Sequence, residues 1–213
     1  MNREEFIRNL QELDININEE QLRKLERFYN ILKEENKKIN LTRIIEKEEV
    51  YLKHFYDSLT ITKKINLNSI NTICDVGTGA GFPGIVLKIM YPHLKITLID
   101  SLLKRVNYLN ETIKKLDLKE IEAIHIRAED YHEKKFDLVT ARAVANIDKL
   151  LKYTMHLVKK EGKFIAMKGN IDKELTPEIK EKINGKYIID EIIEFELPIE
   201  NSKRSLIVIK NKQ

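Results

Sequence analysis

This sequence is short of the residues that staple or anchor a chain. It holds one cysteine in 213 residues, which excludes an intrachain disulfide and fits a reducing compartment. That residue, Cys74, falls in a short apolar stretch of strand type, where a thiol serves as a small buried hydrophobe. No apolar run approaches the length of a membrane span, and Met1–Phe6 lacks the apolar core of a secretory signal. A soluble, cytoplasmic protein with no membrane partner is therefore expected. Internal repeats and low-complexity linkers are absent as well. Neither sign of charge dominates: 38 Lys and Arg against 34 Asp and Glu leave a net charge of +4, which permits a polyanionic partner without demanding one. Glycine is scarce too, with seven residues, yet four of them stand between positions 77 and 84.

That cluster reads Asp75-Val76-Gly77-Thr78-Gly79-Ala80-Gly81-Phe82-Pro83-Gly84. An apolar strand-like run, Ile70 to Cys74, precedes it, and the spacing of Gly84 to Met90 is that of a buried helix. Strand, glycine-rich turn and helix N-terminus together bring backbone N–H groups close to a polar or anionic ligand. A dinucleotide fingerprint would need its third glycine at position 82, which is Phe82. A phosphate-binding P-loop would need Lys after Gly84, and Ile85 stands there. The remaining pattern, acidic-x-Gly-x-Gly-x-Gly, resembles the first motif of Rossmann-like S-adenosylmethionine-dependent methyltransferases.

Residues 3–62 read as helices. Phe6, Ile7, Leu10 and Leu13 share one face, and Asn18 with Gln21 forms a capping box for a second helix striped by Leu22, Leu25, Tyr29 and Leu32. Glu46 to Leu59 reads as a third helix. From Ile70 the pattern alternates, with strands expected at 70–75, 94–100, 120–127, 136–142 and 162–167, and helices at 84–91, 102–117 and 146–159. Such alternation implies a parallel sheet with helices on both faces. Two further strand-like runs, Lys186 to Leu197 and Ser205 to Ile209, imply a terminal antiparallel pair. The expected fold is therefore an α/β, Rossmann-like seven-stranded sheet, mostly parallel. Residues 1–65 would form a helical cap packed on a core of 66–213, as a monomer.

The candidate site residues follow from strand ends. Asp100 closes the second strand about 20 residues beyond the glycine turn, where a carboxylate accepts from ribose hydroxyls. Beside Ser101 it could instead cap the next helix. Ala128 and Glu129 follow the third strand, and Arg142 ends the fourth, where a guanidinium would bind a carboxylate or phosphate. The sole cysteine lies on the first strand, which argues against methylation at pyrimidine C5. Thr140-Ala141-Arg142-Ala143 replaces the Asn/Asp-Pro-Pro-aromatic signature of exocyclic-amine methylation. A ring nitrogen with a free lone pair needs no general base, only positioning.

With these pieces placed, the chain resembles the small-subunit rRNA guanine-N7 methyltransferase family, RsmG or GidB, over nearly its whole length. The resemblance rests on Asn40-Leu41-Thr42, on His54 with Asp57-Ser58-Leu59, on the glycine turn and on Asp100-Ser101 with Lys104-Arg105. It continues in Arg127-Ala128-Glu129, Arg142-Ala143-Val144-Ala145, Lys168-Gly169 and Arg204. The resemblance implies methyl transfer from S-adenosylmethionine to N7 of one guanine in 16S rRNA, in a pseudoknotted loop near the decoding centre. It places the cofactor at Gly77, Phe82, Ala128, Glu129 and Arg142, to which the turn adds Gly79 and Gly81, and strand two Asp100 and Ser101.

His54 and Asp57, three apart on a helix, share a face and become positioning candidates with Arg142. Asn40 and Thr42 could cap the third helix. Lys104, Arg105, Lys168 and Arg204 are the candidates for RNA phosphates, whereas Lys134-Lys135 and Lys159-Lys160 read as solvated surface. No metal site is expected. Two other readings stand beside this one: an NAD-dependent oxidoreductase on a Rossmann scaffold, and a non-catalytic rRNA-binding assembly factor.

Overall fold

The computed structural model describes residues 1–212. Helix α1 (Arg3–Gln11) buries Phe6 and Leu10, and α2 (Glu19–Ile39) buries Leu22, Leu25, Phe28, Tyr29 and Leu32 along one stripe. Asn18 and Gln21 cap α2 reciprocally, each side chain meeting the other's backbone N–H at 2.9 Å. The third helix is not uniform. α3 (Lys47–Val50) runs into a π-helical stretch, Tyr51–Tyr56, then α4 (Asp57–Leu59) and a 3-10 turn to Lys63.

The sheet follows: β1 (Thr72–Val76), α5 (Gly84–Met90), β2 (Lys95–Asp100), α6 (Leu103–Lys115), β3 (Ile121–His125), β4 (Phe136–Arg142), α7 (Ile147–Thr154), β5 (Val158–Lys168), α8 (Pro177–Lys186), β6 (Tyr187–Glu196) and β7 (Lys203–Asn211). Its order is β3-β2-β1-β4-β5-β7-β6. Strands β1 to β5 are parallel, and β7 lies antiparallel between β5 and β6.

Side chains alternate across the sheet and feed two cores. Ile73, Leu98, Leu138, Ile165 and Val208 face α1, α2, α5 and α6, while Cys74, Val139, Phe164 and Ile207 face α7 and α8. The N-terminal helices thus share one apolar core with the sheet.

Two boundaries depart from the expected ones. The helix expected to reach 159 stops at Thr154, and β5 starts at Val158 rather than 162. Val158 pairs with Phe136, but regular pairing resumes only at Lys163 opposite Leu138. The bulged Lys159-Lys160-Glu161-Gly162 disguises the strand as a charged loop. Gly162 is required there, since a Cβ would come 2.8 Å from the Phe136 carbonyl oxygen. Helix α8 was not expected, although Thr176 caps it and Pro177 occupies its first turn.

Candidate functional site

The site begins where β1 ends. Gly77 and Thr78 turn the chain by donating their N–H groups to the Ile99 carbonyl oxygen at 2.8 and 3.2 Å. Gly77, Gly79 and Gly81 have φ of 64°, 60° and 97°, a region that side chains disfavour. Asp75 ties the turn from beneath, accepting from Thr78 Oγ1 at 2.7 Å and Gly84 N at 2.9 Å. Burial pushes its carboxyl up to about 6, against the pull of those two hydrogen bonds. Its Oδ1 atom is buried with no hydrogen-bond partner among the described residues.

Two cavities flank the turn and share Gly77 as a wall. The smaller, about 250 Å³, lies over the ends of β1, β2 and β3 and is lined by Asp100, Ser101, Ala128 and Glu129, among others. Asp100 Oδ2 accepts from Gly79 N at 3.0 Å and Arg105 Nη1 at 3.4 Å, and Oδ1 accepts from Leu102 N at 2.9 Å. The carboxylate therefore both opens α6 and braces the glycine turn. Val144 covers Gly77 so closely that a Cβ there would sit 2.7 Å from Val144 Cγ2.

The larger cavity, about 420 Å³, holds the charged groups. Asp57 bridges two arginines: Arg142 Nη1 reaches Oδ2 at 3.2 Å and Arg204 Nε reaches Oδ1 at 3.0 Å. Arg142 also donates to the Lys53 carbonyl oxygen at 3.1 Å and to His54 Nδ1 at 3.2 Å. The π-helical stretch makes this possible. The Asp57 N–H passes over Lys53 to the Leu52 and His54 carbonyls, leaving the Lys53 oxygen to the guanidinium. Phe82 stacks on His54 with ring centroids 4.3 Å apart, and the Arg142 guanidinium lies 5.1 Å above the same ring. Arg142 is thus fixed from four sides.

The sheet order narrows what this site belongs to. A dinucleotide-binding dehydrogenase sheet runs 3-2-1-4-5-6, and the antiparallel β7 inserted between β5 and β6 is foreign to it. A profile of the family described as rRNA small subunit methyltransferase G matches residues 21–206. A Bacillus pumilus protein named ribosomal RNA small subunit methyltransferase G is 45% identical over 221 residues, covering 100% of this chain and 92% of that protein. This chain belongs to the rRNA small subunit methyltransferase G family. A Bacillus cytotoxicus protein of the same name is also 45% identical, with the same coverage of both chains. Among solved structures, an S-adenosylmethionine-dependent methyltransferase from Aquifex aeolicus superposes with a TM-score of 0.56 at 20% identity, over 83% of this chain and 97% of that one. The fold is that of the class I S-adenosylmethionine-dependent methyltransferases, and the oxidoreductase reading finds no support.

Within this methyltransferase G chain, the residues singled out from sequence divide into three groups. His54, Asp57, Gly77, Gly79, Phe82 and Arg142 converge on the larger cavity, and Asp100, Ser101, Ala128 and Glu129 on the smaller. Gly81 lines neither. A Cβ there would meet Ile85 Cδ1 at 2.6 Å and Leu109 Cδ2 at 3.2 Å, so it permits close packing of α5 and α6 against the turn.

The four RNA candidates differ in exposure. Lys168 is nearly buried, its ammonium held by the Ala145 carbonyl and by Glu174 at 2.8 Å. Arg204 is committed to Asp57, Ser202 and the Lys203 carbonyl inside the cavity wall. Strand ends beside a cavity, not an outer surface, explain both. Arg105 stands half-buried on the rim, and only Lys104 of the four is fully exposed. Asn40 ends α2 in the left-handed conformation, and neither it nor Thr42 caps the third helix, whose N-cap Glu46 has no side-chain hydrogen bond. Sequence reasoning missed Lys53 and Phe195 as cavity residues. A solvent-type lysine and one aromatic in an alternating strand carry no local signal.

Burial and the neighbouring Arg142 charge push the His54 imidazole down to about 3. Because the unfolded chain takes up this proton first, near 6.5, the stability tied to neutral His54 is complete above that pH and is lost as pH falls towards 3. Replacement by glutamine removes the titration. Thermal unfolding from pH 7 to 4 should therefore destabilise the wild type more steeply than His54→Gln, by on the order of a few kcal/mol across the window. Asp75 titrates with the opposite sign in both proteins and cancels in the difference. Parallel curves would mean that His54 is not buried as the neutral form.

Proposed function

We propose that this protein transfers a methyl group from S-adenosylmethionine to N7 of one guanine of 16S rRNA, in the pseudoknotted loop near the decoding centre. It does so as a cytoplasmic monomer. The residues present fit the cofactor. Gly77 and Gly79 would lie against it through their backbone, Asp100 would hold its ribose hydroxyls, Ala128 and Glu129 its base, and Arg142 its carboxylate. The turn stands open to the larger cavity at Gly79, where an added Cβ would meet nothing nearer than the Gly77 carbonyl oxygen at 3.9 Å. When bound, S-adenosylmethionine supplies an electrophilic methyl on sulfur.

The observation that carries the acceptor atom is the state of the titratable groups in the larger cavity. Both nitrogens of His54 are engaged, by Arg142 and by Thr42, and both oxygens of Asp57 are held by arginines. Neither is free to remove a proton. A site without an available base suits an acceptor that loses none, and guanine N7 offers a bare lone pair. Catalysis then consists of orientation, with Arg142 and Arg204, which share the single charge of Asp57, giving the cavity a positive lining for a polyanion.

Incubation with labelled S-adenosylmethionine tests this reading. Label should enter small-subunit RNA, free or assembled, and not large-subunit RNA or tRNA. Tight binding of S-adenosylhomocysteine with no label in any RNA would support the non-catalytic assembly factor instead.

A further inference from the structure

In the Asn40-Leu41-Thr42 segment, Thr42 lines the larger cavity beside His54. Its hydroxyl is the end of a hydrogen-bond chain whose direction can be worked out. Arg142 Nη2 lies 3.2 Å from His54 Nδ1. A guanidinium has donors only, so Nδ1 must accept and the ring proton sits on Nε2. Nε2 is 3.1 Å from Thr42 Oγ1, which therefore accepts from it. Oγ1 accepts a second time, from Ile44 N at 3.1 Å. Two lone pairs are then used, and the hydroxyl hydrogen meets no acceptor among the described residues. Thr42 is held as a donor facing the cavity.

We propose that this hydroxyl reads the base: it donates to O6 of the target guanine and rejects adenine. The inference rests on the guanine-N7 reading above. Guanine presents N7 and O6 as adjacent acceptors on one edge, whereas adenine presents N7 beside an amino donor. A base whose N7 is brought to the Arg142 end of the cavity carries its position 6 beside it, and Thr42 stands one imidazole ring from Arg142. A single neutral donor suits a carbonyl, while a phosphate would be met by the cations of the same cavity. With its proton on O6, the hydroxyl also leaves the N7 lone pair free. Adenine would set its amino group against a hydroxyl that cannot reverse, because the Ile44 N–H and the His54 ring occupy its acceptor side.

The test uses small-subunit RNA ligated from two pieces, with guanine or 2,6-diaminopurine at the target position, and measures competitive binding to the full chain saturated with S-adenosylhomocysteine. Wild type should prefer guanine by roughly tenfold to a hundredfold. Thr42→Val should bring the two RNAs within about threefold of each other by weakening the guanine RNA, and Thr42→Ser should restore the preference. Undiminished discrimination by Thr42→Val overturns the proposal. An equal loss for both RNAs overturns it in favour of a phosphate contact, and a tenfold loss of S-adenosylhomocysteine affinity overturns it in favour of a cofactor contact. Failure of the wild type to methylate the guanine RNA would instead strike the guanine-N7 reading, and this inference with it.

Discussion

Asp57→Ala is expected to lower stability by about 3 kcal/mol and to lower kcat/KM roughly a hundredfold. The two losses have one origin. Among the described residues Asp57 is the sole carboxylate lining the larger cavity, and both of its oxygens hold guanidinium groups that are themselves mostly buried. Removing it leaves two positive charges at one spot in a poorly solvated wall, which costs more than the pair contributed when intact. For a chain of this length the melting temperature should fall by roughly 6–12 °C. Arg142 keeps its contacts to Lys53 and His54 but loses the partner that sets its direction, so affinity for S-adenosylhomocysteine should fall with activity. Wild-type melting temperature and cofactor affinity in Asp57→Ala would show that the arginines are positioned by something else.

Gly79→Arg should separate the two losses, with cofactor affinity lost and the fold kept. An added Cβ at Gly79 meets nothing nearer than the Gly77 carbonyl oxygen at 3.9 Å, so the side chain enters open cavity space. The left-handed backbone there costs a non-glycine residue roughly 1–2 kcal/mol, a loss this chain should survive. Affinity for S-adenosylhomocysteine should drop at least a hundredfold, about 2.7 kcal/mol, in isothermal titration. Gly84 supplies the contrast. A Cβ there would lie 2.2 Å from Leu98 Cδ2 and 2.9 Å from Asp75 Oδ2, so even Gly84→Ala should unfold the turn. Unaltered cofactor affinity in a folded Gly79→Arg would remove the cofactor from this turn.

Much of this architecture is legible in the sequence because it is local. The strand–turn–helix at 72–90 shows in its period and its glycines, and the terminal pair shows in two alternating runs. What is not legible depends on distance or on a broken rule. Asp57 meets Arg142 and Arg204 across 85 and 147 positions, and no short-range pattern announces such a contact. The π-helical stretch that frees the Lys53 carbonyl has the composition of any buried helix. Lys168 and Arg204 look like surface cations, because a charge buried at a strand end is identified only by the partners that satisfy it. Phe82 displaces a dinucleotide glycine in the sequence. Its positive purpose, a platform for His54 and Arg142, appears only when the N-terminal helices pack on the turn.

The most direct test of the account is the position and chemistry of the transferred methyl. Small-subunit RNA methylated by this protein should be cleaved, after reduction and aniline treatment, at one guanine in the pseudoknotted loop near the decoding centre, with label and cleavage in equal amount. That result is expected of a site that orients a lone pair and holds no free base. Label resistant to this cleavage, on an exocyclic amine, a pyrimidine carbon or a ribose hydroxyl, would contradict it, because each of those acceptors must give up a proton that neither His54 nor Asp57 is free to take.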